Sequence, residues 1–190
     1  MQPAIVFRAA ASRGYAVATW VVAAAVFAAF AVNGGAGEVL RYGALPLLLA
    51  ALGWAAFWRP VVLVERDGVR VVNVISTTWL PWAAITGVRT RWGLELLTHD
   101  QKVGAWALPA RSAIGRWTRA RRDVPVVSSL NRLDSVEQGG ADPDVVAEIV
   151  EEHRTGHLAG SAARPERHLE IVPAGLLMAT AGLALVTLLL

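Results

Sequence analysis

Residues 58–98, WRPVVLVERDGVRVVNVISTTWLPWAAITGVRTRWGLELLT, decide the fold. Two β-branched runs, 61–66 and 69–74, flank Asp67-Gly68. Asp-Gly between such runs predicts a two-residue hairpin turn, because both turn positions favour positive φ. Residues 76–80 predict a third strand, stopped by Pro81. Residues 86–92 alternate, with Thr86, Val88, Thr90 and Trp92 on one side and Arg89 and Arg91 on the other. Gly93 interrupts this run. Residues 94–98 follow, His99-Asp100-Gln101 turns the chain, and 102–108 lead to Pro109. Short strands at this spacing predict a meandering antiparallel sheet or a partly open barrel.

Working outward, the strands begin where a long apolar run stops. Charged residues are 17% of the chain, against about 25% in a typical soluble domain. Nearly all of them fall between Arg59 and Glu170. Residues 15–32 and 171–190 carry no charge, and 40–58 carry only Arg41. A helix crossing the hydrocarbon core needs roughly 20 apolar residues, so the pattern predicts three transmembrane spans: 15–32, 40–58 and 171–190. Residues 33–39 would be the loop of a membrane hairpin, with Trp20, Trp54 and Trp58 as interfacial aromatics. A signal peptide cut after Ala29-Phe30-Ala31 is the alternative for the first segment. Its apolar run is long for a signal core, and a second apolar run follows at once.

Positive charge orients the spans. Arg8 and Arg13 precede the first, Arg59 follows the second, and Arg164 and Arg167 precede the third. The expectation is a multi-pass protein of a bacterial cell membrane. Residues 1–14 would be a cytoplasmic tail, the central domain 59–158 would also be cytoplasmic, and the C-terminus would lie outside.

After Pro109 the character changes. Arg111, Arg116, Arg119, Arg121 and Arg122 occur before any acid, with Ile114 and Trp117 among them. Residues 109–141 read as an irregular basic insertion. Asp142-Pro143-Asp144 then opens a helix over 142–156: Asp142 can cap, Pro143 suits the first position, and Asp144 favours the positive end of the dipole. Val145, Val146, Ile149, Val150 and His153 form its apolar stripe, and Glu148, Glu151 and Glu152 its wet face. The open mouth of the sheet is its expected partner. Residues 159–170 are small and polar enough for a linker to the third span.

The set Trp58-Arg59-Pro60, the Asp67-Gly68 hairpin, Asn73, Pro81-Trp82 leading to Ile85, and Arg89 through Leu96 resembles the bacterial PH-like domain of the actinobacterial low-molecular-weight protein antigen 6 family. The membrane hairpin in front is similar too. The resemblance implies a fold class of membrane α plus β. Three transmembrane helices would accompany a PH-like, strongly bent antiparallel sheet or partial barrel, capped by a C-terminal helix. It implies no particular activity, since fold does not give function. Lipid-binding PH domains hold inositol phosphates with basic residues in a long loop between their first two strands. Here that loop is a tight turn carrying Asp67, which argues against such a pocket. The stretch 109–141 is the second departure, either an inserted loop or a further strand.

Chemistry finds little support. The absence of cysteine excludes disulfides, thiolate metal sites and a cysteine nucleophile. His153 and His157 are four apart, but the His-Glu-x-x-His pattern of zinc proteases is absent, with Arg154 and Thr155 between the histidines. His99-Asp100 falls on a turn, Ser128-Ser129 lacks a nucleophile-elbow context, and Gly34-Gly35 and Gly37 belong to the interspan loop. No enzyme, cofactor, metal, nucleic acid or small-molecule substrate is expected. The candidate contact residues are Arg89, Arg91, Arg111, Arg116, Trp117, Arg119, Arg121 and Arg122. Their partner would be an anionic lipid surface, since basic residues near an inner leaflet gain about 1 kcal/mol each, or an unidentified protein. Solvated or internally paired arginines remain the plain alternative for the cluster after Pro109. Ala24 with Ala28, Ala51 with Ala55, and Gly175 with Ala179 are spaced for close helix contact. The expected function is a non-enzymatic membrane-anchored interaction module; the alternative is an accessory subunit of a larger membrane complex, with the spans as its interface.

Overall fold

A computed structural model describes residues 5–9, 11–110, 138–139, 142–156 and 164–189. The chain forms two compact units. One contains Met1–Ala9, Val61–Val72 and Thr78–Arg167; the other contains Ala10–Pro60, Asn73–Thr77 and His168–Leu190.

The first unit is the β domain. The strands are β1 (Ile5–Arg8), β2 (Val61–Glu65), β3 (Gly68–Val72), β4 (Ser76–Pro81), β5 (Gly87–Arg89), β6 (Gly93–Leu97), β7 (Lys102–Pro109), β8 (Gln138–Gly139) and β9 (Glu166–Leu169), with Ser76 and Thr77 of β4 and His168 and Leu169 of β9 falling in the second unit. One sheet has the order β8-β1-β2-β3-β4-β9, the other β5-β6-β7. The β2–β3 hairpin is in register from Val61 opposite Val72 to Glu65 opposite Gly68. Alternation along these strands buries Val62, Val64, Val69 and Val71, which meet Phe7, Leu80, Leu94, Leu96 and Leu108 in one core. Apolar burial of this kind supplies roughly 25 cal/mol per Å2.

The expected strands are present, with local corrections. The tight turn is Arg66-Asp67, one residue earlier than expected, because Glu65 pairs with Gly68. Gly68 is not among the glycines with positive φ. Its role is close approach: a Cβ there would overlap the Leu80 carbonyl oxygen and lie 2.9 Å from the Pro81 Cα. Ile5–Arg8, expected in a free tail, is a strand antiparallel to β2, with Phe7 buried in the core. Residues 138–139, expected within the irregular insertion, pair in parallel with β1. Glu166–Leu169, expected in a linker, is strand β9.

The helix of this unit, α3 (Pro143–Gly156), opens as its sequence predicts. The Asp144 backbone N–H donates to the Asp142 carboxylate at 3.3 Å. Val146 and Val150 are fully buried against the core, so α3 covers the end of the sheet near β5, β6 and the 3-10 turn Trp82–Ala84.

The second unit is helical. α1 (Ser12–Tyr42) is interrupted at Gly35, whose φ of 62° lies outside helical space. The expected loop 33–39 is therefore helical on both sides of one glycine. α2 (Ala44–Gly53) continues into a π turn, Trp54–Trp58, and α4 (Ile171–Leu189) packs against α2. The expectation of three long apolar helices is corrected to two: among the described residues, α1 and α4 are the ones long and apolar enough to cross a membrane, by length and composition. Helix formation through the glycine-rich stretch gives Leu40 to Tyr42 to α1. Ala44–Trp58 is left with about 22 Å of rise, short of a core of about 30 Å.

Candidate interaction surface

The β5–β6 hairpin positions both described members of the expected contact set, Arg89 and Arg91. Strand β5 ends at Arg89, sooner than the alternating pattern predicts. Thr90–Gly93 is a turn in which the Gly93 N–H approaches the Thr90 carbonyl at 3.4 Å. Gly93 has φ of 116°, and a Cβ there would lie 3.1 Å from the Pro109 Cα, so the turn requires glycine. Arg91 and Trp92 consequently share the tip instead of pointing to opposite faces. The Arg91 guanidinium lies 5.5 Å from the Trp92 ring centroid, within cation–π range.

Strand β7 contributes the other half of the surface. Glu95 faces Gly104, but Gly93 faces Pro109, so Ala105 to Leu108 bulge opposite Leu94. Bulges bend a strand and re-aim side chains. Val103, Ala105 and Ala107 alternate into the core while Lys102, Gly104 and Trp106 face outward; the irregularity adds Leu108 to the buried side, and the Ala9 N–H donates to the Ala107 carbonyl at 3.0 Å. Trp92 is 74% exposed and Trp106 58%. Among the described residues of the β unit, these are the only large apolar side chains in the open.

Arg89, Arg91 and Lys102 are exposed on the same small sheet. Glu95, in register between Arg89 and Gly104, is the acid among them and is half-buried. The remaining expected contacts, Arg111, Arg116, Trp117, Arg119, Arg121 and Arg122, lie outside the described residues.

The turn that replaces the long PH loop is occupied structurally. Trp82 Nε1–H donates to the Arg66 carbonyl at 2.7 Å, and the Trp82 backbone N–H to the Asp67 carbonyl at 3.3 Å. His153 stacks on Trp82, with centroids 5.4 Å apart and planes at 23°, as the sheet-contact reading of that helix face anticipates. Among the described residues, no group of three or more metal-ligating side chains occurs; His157 lies outside them.

Residues 59–134 match the family model described as Bacterial PH domain. The match begins two residues before β2 and spans β2 to β7, which is three of the six strands of the larger sheet and all of the smaller one. An antiparallel sheet domain accompanied by helices is consistent with it. No curated protein and no solved structure matches the chain. Trp106 lies inside the matched range, and the signal that could have singled it out is the alternation of residues 102–107, which sets it on the outward face with Lys102 and Gly104.

Proposed function

We propose that this is a non-enzymatic, multi-pass protein of a bacterial membrane that presents a cytoplasmic PH-like domain for protein interaction or contact with anionic lipid. The observation that carries the reading is where apolar surface is exposed. Val21, Val32, Leu40, Ile171, Met178 and Leu189 are all more than half exposed on α1 and α4. Soluble domains rarely expose a contiguous patch beyond a few hundred Å2. Among the described residues of the first unit, the exposed large apolar side chains are its two tryptophans.

Connectivity favours a domain held at the surface of the bilayer. Residues 9–11, 59–60 and 170 are short joints between a strand and a long apolar helical segment. Arg13, Arg59, Arg164 and Arg167 flank the apolar segments on the side assigned to the cytoplasm. The finer kinship with the low-molecular-weight protein antigen 6 family belongs to this proposal and rests on the ordered residues between Trp58 and Leu96. The domain's open face, and not a deep cleft, is its proposed working part.

The alternative role, subunit of a larger membrane complex, draws on α4. A Cβ at Gly175 or Gly182 would meet nothing within 4 Å, so that side of the helix could admit a neighbour.

The chain has no cysteine, so a single Asp67→Cys on the exposed turn tests insertion and orientation together. The full-length variant should stay with membranes through alkaline extraction. A membrane-impermeant maleimide should label it only after cells are opened. Release by alkali sinks the membrane reading, and labelling in intact cells sinks the orientation.

A further inference from the structure

Trp92 and Trp106 are not scattered surface residues. Trp92 stands on the Thr90–Gly93 turn, and Trp106 lies on the outward face of β7 with Lys102 and Gly104. Gly93 faces Pro109 and Glu95 faces Gly104 in the register, so both tryptophans lie at one end of the β6–β7 hairpin. The far end carries His99 and Asp100. Tryptophan joins a large apolar body to a polar N–H, the combination favoured at the headgroup level of a bilayer.

Charge indicates which surface fits. Arg91 lies beside Trp92, Arg89 is exposed at the end of β5, and Lys102 is exposed on β7. Glu95 is the acid facing Arg89 across the ladder, half-buried beneath the outward cations. A ring that can enter the headgroup zone, bordered by guanidinium groups that bind phosphate, complements an anionic bilayer. The turn Arg66-Asp67, engaged by Trp82, offers no such combination.

We propose that Trp92 and Trp106, with Arg89 and Arg91, form a second membrane contact that seats the small sheet on an anionic lipid surface. This deepens the membrane-held reading above and rests on it. The contact is shallow and salt-sensitive, because exposed charges are screened over about 8 Å at physiological ionic strength. Each arginine should change the ratio of seated to unseated domain roughly fivefold.

The test uses the full-length chain in nanodiscs of phosphatidylcholine, alone or with about one third phosphatidylglycerol. Gly104→Cys carries a fluorophore, since Gly104 is exposed and a Cβ there meets nothing within 4 Å. Asp100→Cys, at the other end of the hairpin, carries the same label as the control. Nitroxide-bearing lipid should quench the label at 104 more strongly than at 100 in anionic discs. The difference should shrink in neutral discs, in high salt, in Arg89→Gln/Arg91→Gln, and in Trp92→Ala/Trp106→Ala. All four side chains are outside the core, and circular dichroism verifies that each variant keeps its fold. Equal quenching at 104 and 100 in anionic discs, in a chain that has incorporated, overturns this contact and assigns the tryptophans to a protein partner. Failure of the chain to enter discs overturns the membrane reading and this contact together.

Discussion

The Arg59 guanidinium lies 3.4 Å from the Glu170 carboxylate, joining the end of the π turn to the residue that leads into α4. Arg59 also donates to the Asn73 carbonyl, Thr77 Oγ1–H donates to the same carboxylate oxygen at 2.8 Å, and the Glu170 N–H donates to the Ile75 carbonyl at 2.9 Å. Three distant pieces of chain are thus held by one polar cluster. The Arg59 side chain is 10% exposed and that of Glu170 40%. The pair is neither a surface ion pair of negligible value nor a fully desolvated one.

Removing Arg59 leaves the Asn73 carbonyl and the Glu170 carboxylate short of a donor. Arg59→Ala should cost about 2 kcal/mol. Glu170→Gln retains an acceptor for Thr77 and should cost about half that. Thermal unfolding of the full chain in detergent measures both, and the double variant measures their coupling. Strict additivity would mean that Arg59 contributes through packing and not through this pair.

Gly68 and Gly104 give opposite expectations for the same change. Gly68→Ala presses a methyl group into the backbone at Leu80 and Pro81 and should destabilise by about 1–3 kcal/mol. Gly104→Ala faces open space and should shift stability by no more than about 0.5 kcal/mol. Comparable unfolding temperatures for the two variants would contradict the close packing of β3 on β4.

Much of the β domain is legible from local pattern. The runs around Asp67-Gly68 identify the hairpin, and Asp142-Pro143-Asp144 identifies the start of α3. The parts that escape are those set by distant partners. Ile5–Arg8 is a short apolar stretch with no turn signal of its own, and only β2 makes it a strand. The hairpin slips by one residue because β4 requires Gly68 in the sheet, which no local preference encodes. Alternation over 86–92 hides the turn that brings Arg91 beside Trp92. The basic cluster after Pro109 is conspicuous in sequence, whereas the placing of Trp92 and Trp106 at one end of a hairpin emerges only from the pairing of β6 with β7.

Trp82 serves two elements at once, and its substitutions should separate the roles. Trp82→Phe keeps a ring for His153 to stack on but loses the donor to the Arg66 carbonyl. That carbonyl sits on an exposed turn where water can replace the donor, so the cost should be about 1 kcal/mol. Trp82→Ala also empties a buried position and should cost about 3–5 kcal/mol. Denaturant unfolding gives both values, and equal losses would mean that the indole N–H carries the whole effect.

On α3, Arg154 bonds Glu151 through both carboxylate oxygens, Nε at 3.1 Å and Nη2 closer still. Those hydrogen bonds hold the Glu151 carboxyl below its ordinary value of 4.5, and the same bonds raise Arg154. A carboxylate whose folded pKa is lowered stabilises the fold fully above its unfolded pKa, and that contribution disappears as pH falls through the lowered folded value. Arg154 stays charged throughout, so Glu151 alone sets the window. The side chains are 45% and 20% exposed, and solvent screening limits such an i, i+3 pair to about 0.3–0.5 kcal/mol. Glu151→Gln should therefore unfold at a slightly lower temperature than the parent at pH 7. Melting curves across pH should bring the two together below the ordinary glutamate range. A gap that persists in acid would show that Glu151 contributes through something other than its charge.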